Sequence, residues 1–81
     1  MSTVATEEQV EQVVFESLES FGAERGQIAR DATLEELSID SLDLAELSQI
    51  VHDRFDVELR GSDVVDVKTV GDAVKLIAGR L

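Results

Sequence analysis

The sequence predicts an all-α fold: a four-helix bundle of three longer helices and one short helix. Two observations carry this. Apolar residues recur at spacings of three and four in three separate windows, the period of a helix with one buried face. Each window follows a good helix cap: Thr6, Asp40 or Thr69. With 81 residues the expectation is one small domain, burying roughly 60–65% of its unfolded-chain surface and leaving no room for a large substrate cavity. Residues 1–5 read as a disordered N-terminal segment and residues 6–81 as a single domain, with no internal repeat or low-complexity tract.

The first helix is expected to begin at Thr6, with Gln9 three residues on as capping-box partner. Its apolar face is Val10, Val13, Val14, Leu18 and Phe21, and Gly22 is the expected stop. The connection from Gly22 to Ile39 is long for a structureless loop. Ile28, Leu34 and Leu37 are therefore expected to pin it to the core, with a helical turn at Thr33-Leu34-Glu35-Glu36. The second helix runs from Ser41 to Phe55 with Asp40 as N-cap and a core stripe of Leu44, Leu47, Val51 and Phe55, joined by Ile50. Asp56-Val57-Glu58-Leu59 reads as extended, Gly61 as a break, and Ser62 or Asp63 as the cap of a short turn through Val64 and Val65. The last helix starts at Thr69, with Asp72 in the capping-box position, and presents Val70, Ala73, Val74, Ile77 and Leu81. Leu47, Val51, Val64, Val67 and Ile77 are the expected shared core.

Composition narrows the function. The 18 acidic and 7 basic residues give a net charge of −11, which opposes nucleic acid and anionic membrane surfaces and suits a basic patch on another protein. Cysteine is absent, so the chain has no disulfide, thiolate metal site or thiol nucleophile of its own. No loop has EF-hand spacing, and no metal site is expected. Residues 1–6 lack the charge and apolar run of a secretion signal, and no apolar stretch approaches the roughly 20 residues of a membrane span. A soluble, cytoplasmic, monomeric protein is expected.

One serine stands out. In Leu37-Ser38-Ile39-Asp40-Ser41-Leu42-Asp43 a loop gives way to an amphipathic helix, which places Ser41 at the positive end of the helix dipole. A nucleophilic serine needs a base within hydrogen-bond reach. The one histidine, His52, lies eleven residues along the same helix, about 16 Å at 1.5 Å per residue. Asp40 and Asp43 are expected to act as caps. The chain is therefore read as a non-enzyme whose serine is either an ordinary first-turn residue or one that another enzyme modifies.

That motif, the acidic helix to Phe55, the short turn, and Lys68-Thr69-Val70 opening a final apolar helix resemble the acyl carrier proteins in length, order and spacing. The resemblance covers all but the first few residues and implies a four-helix acyl-carrier-like bundle. It further implies that a phosphopantetheinyl transferase moves 4′-phosphopantetheine from coenzyme A onto Ser41, and that the arm's thiol carries acyl groups as thioesters. Asp40 and Leu42 match the family pattern around the modified serine, where they serve recognition. Two departures concern partners rather than the hydroxyl: many members have glycine near Leu37 and Ser38, and proline is frequent at the position of Arg60.

Leu42, Glu46, Gln49 and Asp53 form one stripe on the second helix, away from its core stripe, flanked by Asp43 and Ala45. Between Asp31 and Asp66 there are eleven acids and two arginines, so this segment carries 2 − 11 = −9 of the net charge. The plain reading is a solvated face; the favoured one is a docking face for basic patches on acyl synthases, reductases and transferases. His52 and Arg54 interrupt the acidic run and are candidates for tuning partner choice. Fatty-acid biosynthesis is the leading pathway, with a dedicated carrier for polyketide or other specialised acyl products as the alternative. An unmodified acidic adaptor is the rival from another class.

Overall fold

Reciprocal capping boxes open all three long helices in a computed structural model that describes residues 6–81. Helix α1 (Glu7–Ser20) starts where the Thr6 hydroxyl accepts the Gln9 N–H and the Gln9 side chain accepts the Thr6 N–H. Helix α2 (Ser41–Phe55) uses Asp40 and Asp43 in the same way, and α4 (Val70–Ala78) uses Thr69 and Asp72. Each box satisfies two N–H groups that the first turn would otherwise leave unpaired. Among the described residues a 3-10 turn (Arg25–Gln27) and the one-turn helix α3 (Gly61–Val64) complete the all-α architecture. The expectation for residues 1–5 lies outside the described residues.

Helix α1 packs against α4 and α2. Val10, Val14 and Leu18 from α1, Val51 from α2, and Val70, Val74 and Ile77 from α4 are fully buried, and Leu47 nearly so. These β-branched and aliphatic side chains fall at helical spacing, which is why the periodicity predicted them. Helix α1 stops at Gly22, whose φ of 110° suits glycine. There Ala23 N–H reaches the Leu18 carbonyl and Gly22 N–H the Glu19 carbonyl, the paired bonds of a Schellman stop. Helix α2 ends at Asp56, a non-glycine residue with φ of 56° that donates its N–H to the His52 carbonyl.

The long connection is pinned as expected by Ile28, Leu34 and Leu37, all buried, and by Ile39. Its turn at Thr33 is a small capping box, with the Glu36 carboxylate accepting the Thr33 N–H and hydroxyl. These bonds favour the charged form and hold the Glu36 carboxyl below the usual range. The periodicity did not reveal a second anchor, to the start of α4. Thr33 and Thr69 form an isolated antiparallel bridge, Leu34 N–H bonds the Lys68 carbonyl, and Val70 and Gly71 N–H bond the carbonyls of Ala32 and Arg30. Arg30 is tied in turn to Glu7 at 2.7 Å and Glu11 at 2.9 Å, which raises its pKa further.

Several expectations need correcting, the first being Asp56, which caps α2 in the left-handed region rather than opening the extended segment. Helix α3 begins at Gly61, not after a cap at Ser62 or Asp63. Its N-cap is Arg60, whose side chain has no acceptor, so Asp63 reaches back to the Arg60 N–H from inside the helix at 2.9 Å. Leu81 lies beyond α4 and is exposed, because the helix ends at Ala78 before Gly79. Ile50 is only half-buried, beside a groove between α1 and α2. Val64, at the end of the one-turn helix, is half-buried as well, whereas Val67 beyond it is half-buried but packs against the core as expected.

Candidate modification site

Ser41 is the first residue of α2, and its position is set by the turn before it. Leu37 and Ile39 are buried while Ser38 and Asp40 face solvent, so the chain is gripped on both sides of Ser38. Ser38 N–H bonds the Glu35 carbonyl and Ile39 N–H the Leu34 carbonyl. Closing this turn requires φ of 59° at Ser38. Glycine, which many relatives have near this position, adopts that conformation freely; serine adopts it at a cost of about 1 kcal/mol.

Ser41 is exposed. Asp40 Oδ1 accepts the Asp43 N–H at 3.0 Å and Asp43 Oδ2 accepts the Asp40 N–H at 3.3 Å, so both neighbouring carboxylates are engaged in capping. His52 lies on the same unbroken helix, exposed, 3.8 Å from Asp53. A Ser–His dyad is ruled out by helix geometry.

Beside Ser41 runs a groove of about 640 Å³, walled by Leu44, Ala45 and Ser48 of α2 and by Leu59, Val64 and Val67 on the opposite side. Arg60, Gly61 and Val65 complete it, and Val65 is among the most exposed large apolar side chains described. The groove abuts a nearly closed inner space of about 10 Å³ between α2, α3 and α4. Sequence reasoning assigned Leu44, Val64 and Val67 of this wall to the core and left Leu59 and Val65 in the connector and the short turn. The signal it held was the crowding of Leu59, Val64, Val65 and Val67 around a helix of four residues, more apolar surface than one turn can bury.

The docking candidates share one side of α2. Leu42 is 69% exposed, Ala45, Glu46, Gln49 and Asp53 are exposed, and Asp43 is half-buried by its capping role. Gln49 Nε2 donates to Asp53 Oδ1 at 3.1 Å, so these two present a joined polar edge. Arg54 is also exposed. Among the described residues no group of three or more acidic or histidine side chains could hold a metal ion, and no helix is long and apolar enough to cross a membrane.

An exposed serine on a helix N-terminus, next to an apolar groove and without a base, suits a domain that carries a prosthetic group rather than one that catalyses. The family model described as "Phosphopantetheine attachment site" matches residues 13–77, a span that contains Ser41. The chain belongs to the acyl carrier protein family, whose members are carriers, not catalysts, and hold 4′-phosphopantetheine covalently. It is similar to the acyl carrier protein of Lactococcus lactis subsp. cremoris, at 35% identity over 91% of this chain and 94% of that protein. It is also similar to the acyl carrier protein of Streptococcus pneumoniae serotype 4, at 31% identity over 91% of this chain and 93% of the relative.

Proposed function

We propose that residues 6–81 are a single acyl carrier domain whose prosthetic arm is attached at Ser41, and that it delivers acyl groups to the enzymes of fatty-acid biosynthesis. The observation that carries the attachment site is the exposed Ser41 hydroxyl at the α2 N-terminus, opening onto the groove. The helix N-terminus favours the charge of an added phosphodiester. The arm supplies the thiol that this cysteine-free chain lacks. The apolar walls of Leu44, Leu59, Val64 and Val67 suit a hydrocarbon chain that lies in the groove and moves inward.

Asp40, Leu42, Asp43, Ala45, Glu46, Gln49 and Asp53 form the proposed docking face, first for a phosphopantetheinyl transferase and then for acyl synthases, reductases and transferases. Leu42 offers an apolar anchor inside a rim of acids, and the surplus of acids around it steers basic patches at long range. Such binding is fast, weak and salt-sensitive, which suits a shuttle working in the cytoplasm. Intact-mass analysis after incubation with coenzyme A, Mg²⁺ and a promiscuous phosphopantetheinyl transferase tests the attachment. The expected result is one phosphopantetheine added to the wild type and none to Ser41→Ala. A wild type that gains no mass leaves the unmodified adaptor standing, and a gain that persists in Ser41→Ala places the arm elsewhere.

A further inference from the structure

We propose that Arg80 is a latch that holds α3 against the end of α4 and so sets how readily an acyl chain enters the inner space. The proposal rests on the carrier reading above. Its starting point is how little else fastens α3. This helix has four residues and none of them is buried. With the residues on either side of it, it walls both spaces: Val64 of α3, Leu59 before it and Val67 after it line the open groove and the nearly closed inner space alike, with Ala73, Leu76 and Ile77 of α4 as the opposite wall of the latter. At about 10 Å³ the inner space holds no hydrocarbon chain until that wall moves.

Arg80 spans the seam. Its Nη2 donates to Asp63 Oδ1 at 2.6 Å, and its Nη1 donates to Asp63 Oδ2 at 3.0 Å and to the Glu58 carbonyl at 3.2 Å. One guanidinium thus grips α3 by both carboxylate oxygens and grips the connector that leads into it. Among the described residues this is the one ion pair across the α3–α4 seam. The rest of the seam is an open cleft lined by Asp66, Asp72 and Lys75 among others. Asp63 cannot swing aside cheaply, because the same carboxylate accepts the Arg60 N–H that starts the helix. Most surface ion pairs contribute little, but fork-to-fork geometry with Asp63 only 19% exposed is the favourable case. Moving α3 outward requires breaking the fork, so the latch biases the groove against deep entry and favours short or superficially held chains.

The experiment compares the wild type, Arg80→Gln and Arg80→Lys. In the unmodified proteins, amide exchange by NMR across residues 61–65 is expected to be about fivefold faster in Arg80→Gln, with α1 unchanged. Arg80→Lys keeps the charge without the fork and should fall between. On the arm-bearing proteins loaded with acetyl or octanoyl groups, hydroxylamine cleavage of the octanoyl thioester should be up to about fivefold slower in Arg80→Gln, as the chain withdraws inward, while acetyl cleavage stays the same. Unchanged exchange in α3 overturns the latch. So does a change in cleavage rate that is equal for the two chains. Failure of Ser41 to take the arm sinks the carrier reading and the chain-sorting role with it, whereas the exchange measurement needs no arm and judges the latch by itself.

Discussion

Gly71→Ala should destabilise the protein, although helix propensity alone says the opposite. Alanine in place of a helical glycine usually stabilises by about 0.5–1 kcal/mol. A Cβ built on Gly71, however, meets the Arg30 carbonyl oxygen at 2.9 Å, the Arg30 Cβ at 3.4 Å and its carbonyl carbon at 3.5 Å. The obstruction is backbone, not the tip of a flexible side chain. It also cannot retreat freely: Gly71 N–H bonds that same oxygen at 2.8 Å, and the Arg30 side chain is held by Glu7 and Glu11. Overpacking of this kind costs about 1–3 kcal/mol, and stretching the hydrogen bond adds about 1 kcal/mol. The steric cost exceeds the propensity gain, leaving a net loss of about 2 kcal/mol and a fall in Tm of about 10 °C for a domain of this size. Thermal melting followed by far-UV circular dichroism measures it, with Gly61→Ala as the control. A Cβ at Gly61 meets nothing within 4 Å, so that variant should melt at or slightly above the wild type. If Gly71→Ala melts as high as Gly61→Ala, the claim that close backbone approach fastens the connection to α4 is wrong.

Thr69→Ala removes the hydroxyl that accepts the Asp72 N–H and should cost about 1 kcal/mol, read as a lower Tm with unchanged helicity at low temperature. The Asp72 carboxyl is held below its ordinary range by the N–H groups of Thr69 and Lys68, so its contribution is present above the unfolded aspartate pKa and is lost as pH falls through the lower folded value. Below about pH 4 the Tm of the wild type should therefore fall more steeply with acid than that of Asp72→Asn; parallel curves would contradict this. Leu42→Ala should leave Tm within about 1–2 °C, because the side chain is largely exposed. It should nevertheless slow arm transfer to Ser41, seen as a higher KM of the transferase, if Leu42 is the docking anchor. Glu46→Lys should weaken the same encounter, and added salt should shrink the difference.

What could be read from the residues was information stored within one helical turn. Thr6 with Gln9, Asp40 at the head of α2, and Thr69 with Asp72 mark helix starts because a cap and its partner are neighbours in the chain. The buried faces of α1 and α4 followed from spacing, since a side chain's direction on a helix is fixed by its position in the period. Ser41 was legible for the same reason, as a first-turn residue whose own helix carries its one histidine, His52, too far along the axis to serve as a base. The start of α3 was not, because Arg60 is no capping residue and the bond that fixes it comes from Asp63 inside the turn.

The sequence by itself determined four helices, an acidic α2 and an exposed serine at its head, because each depends on local backbone geometry and charge. The tertiary structure decided how these meet: the Thr33–Thr69 bridge, the close approach of Gly71 to Arg30, the groove beside Ser41 and the reach of Arg80 to Asp63. Each of these joins residues distant along the chain, whose distance in space is set by packing of the whole core and by no periodicity in the sequence.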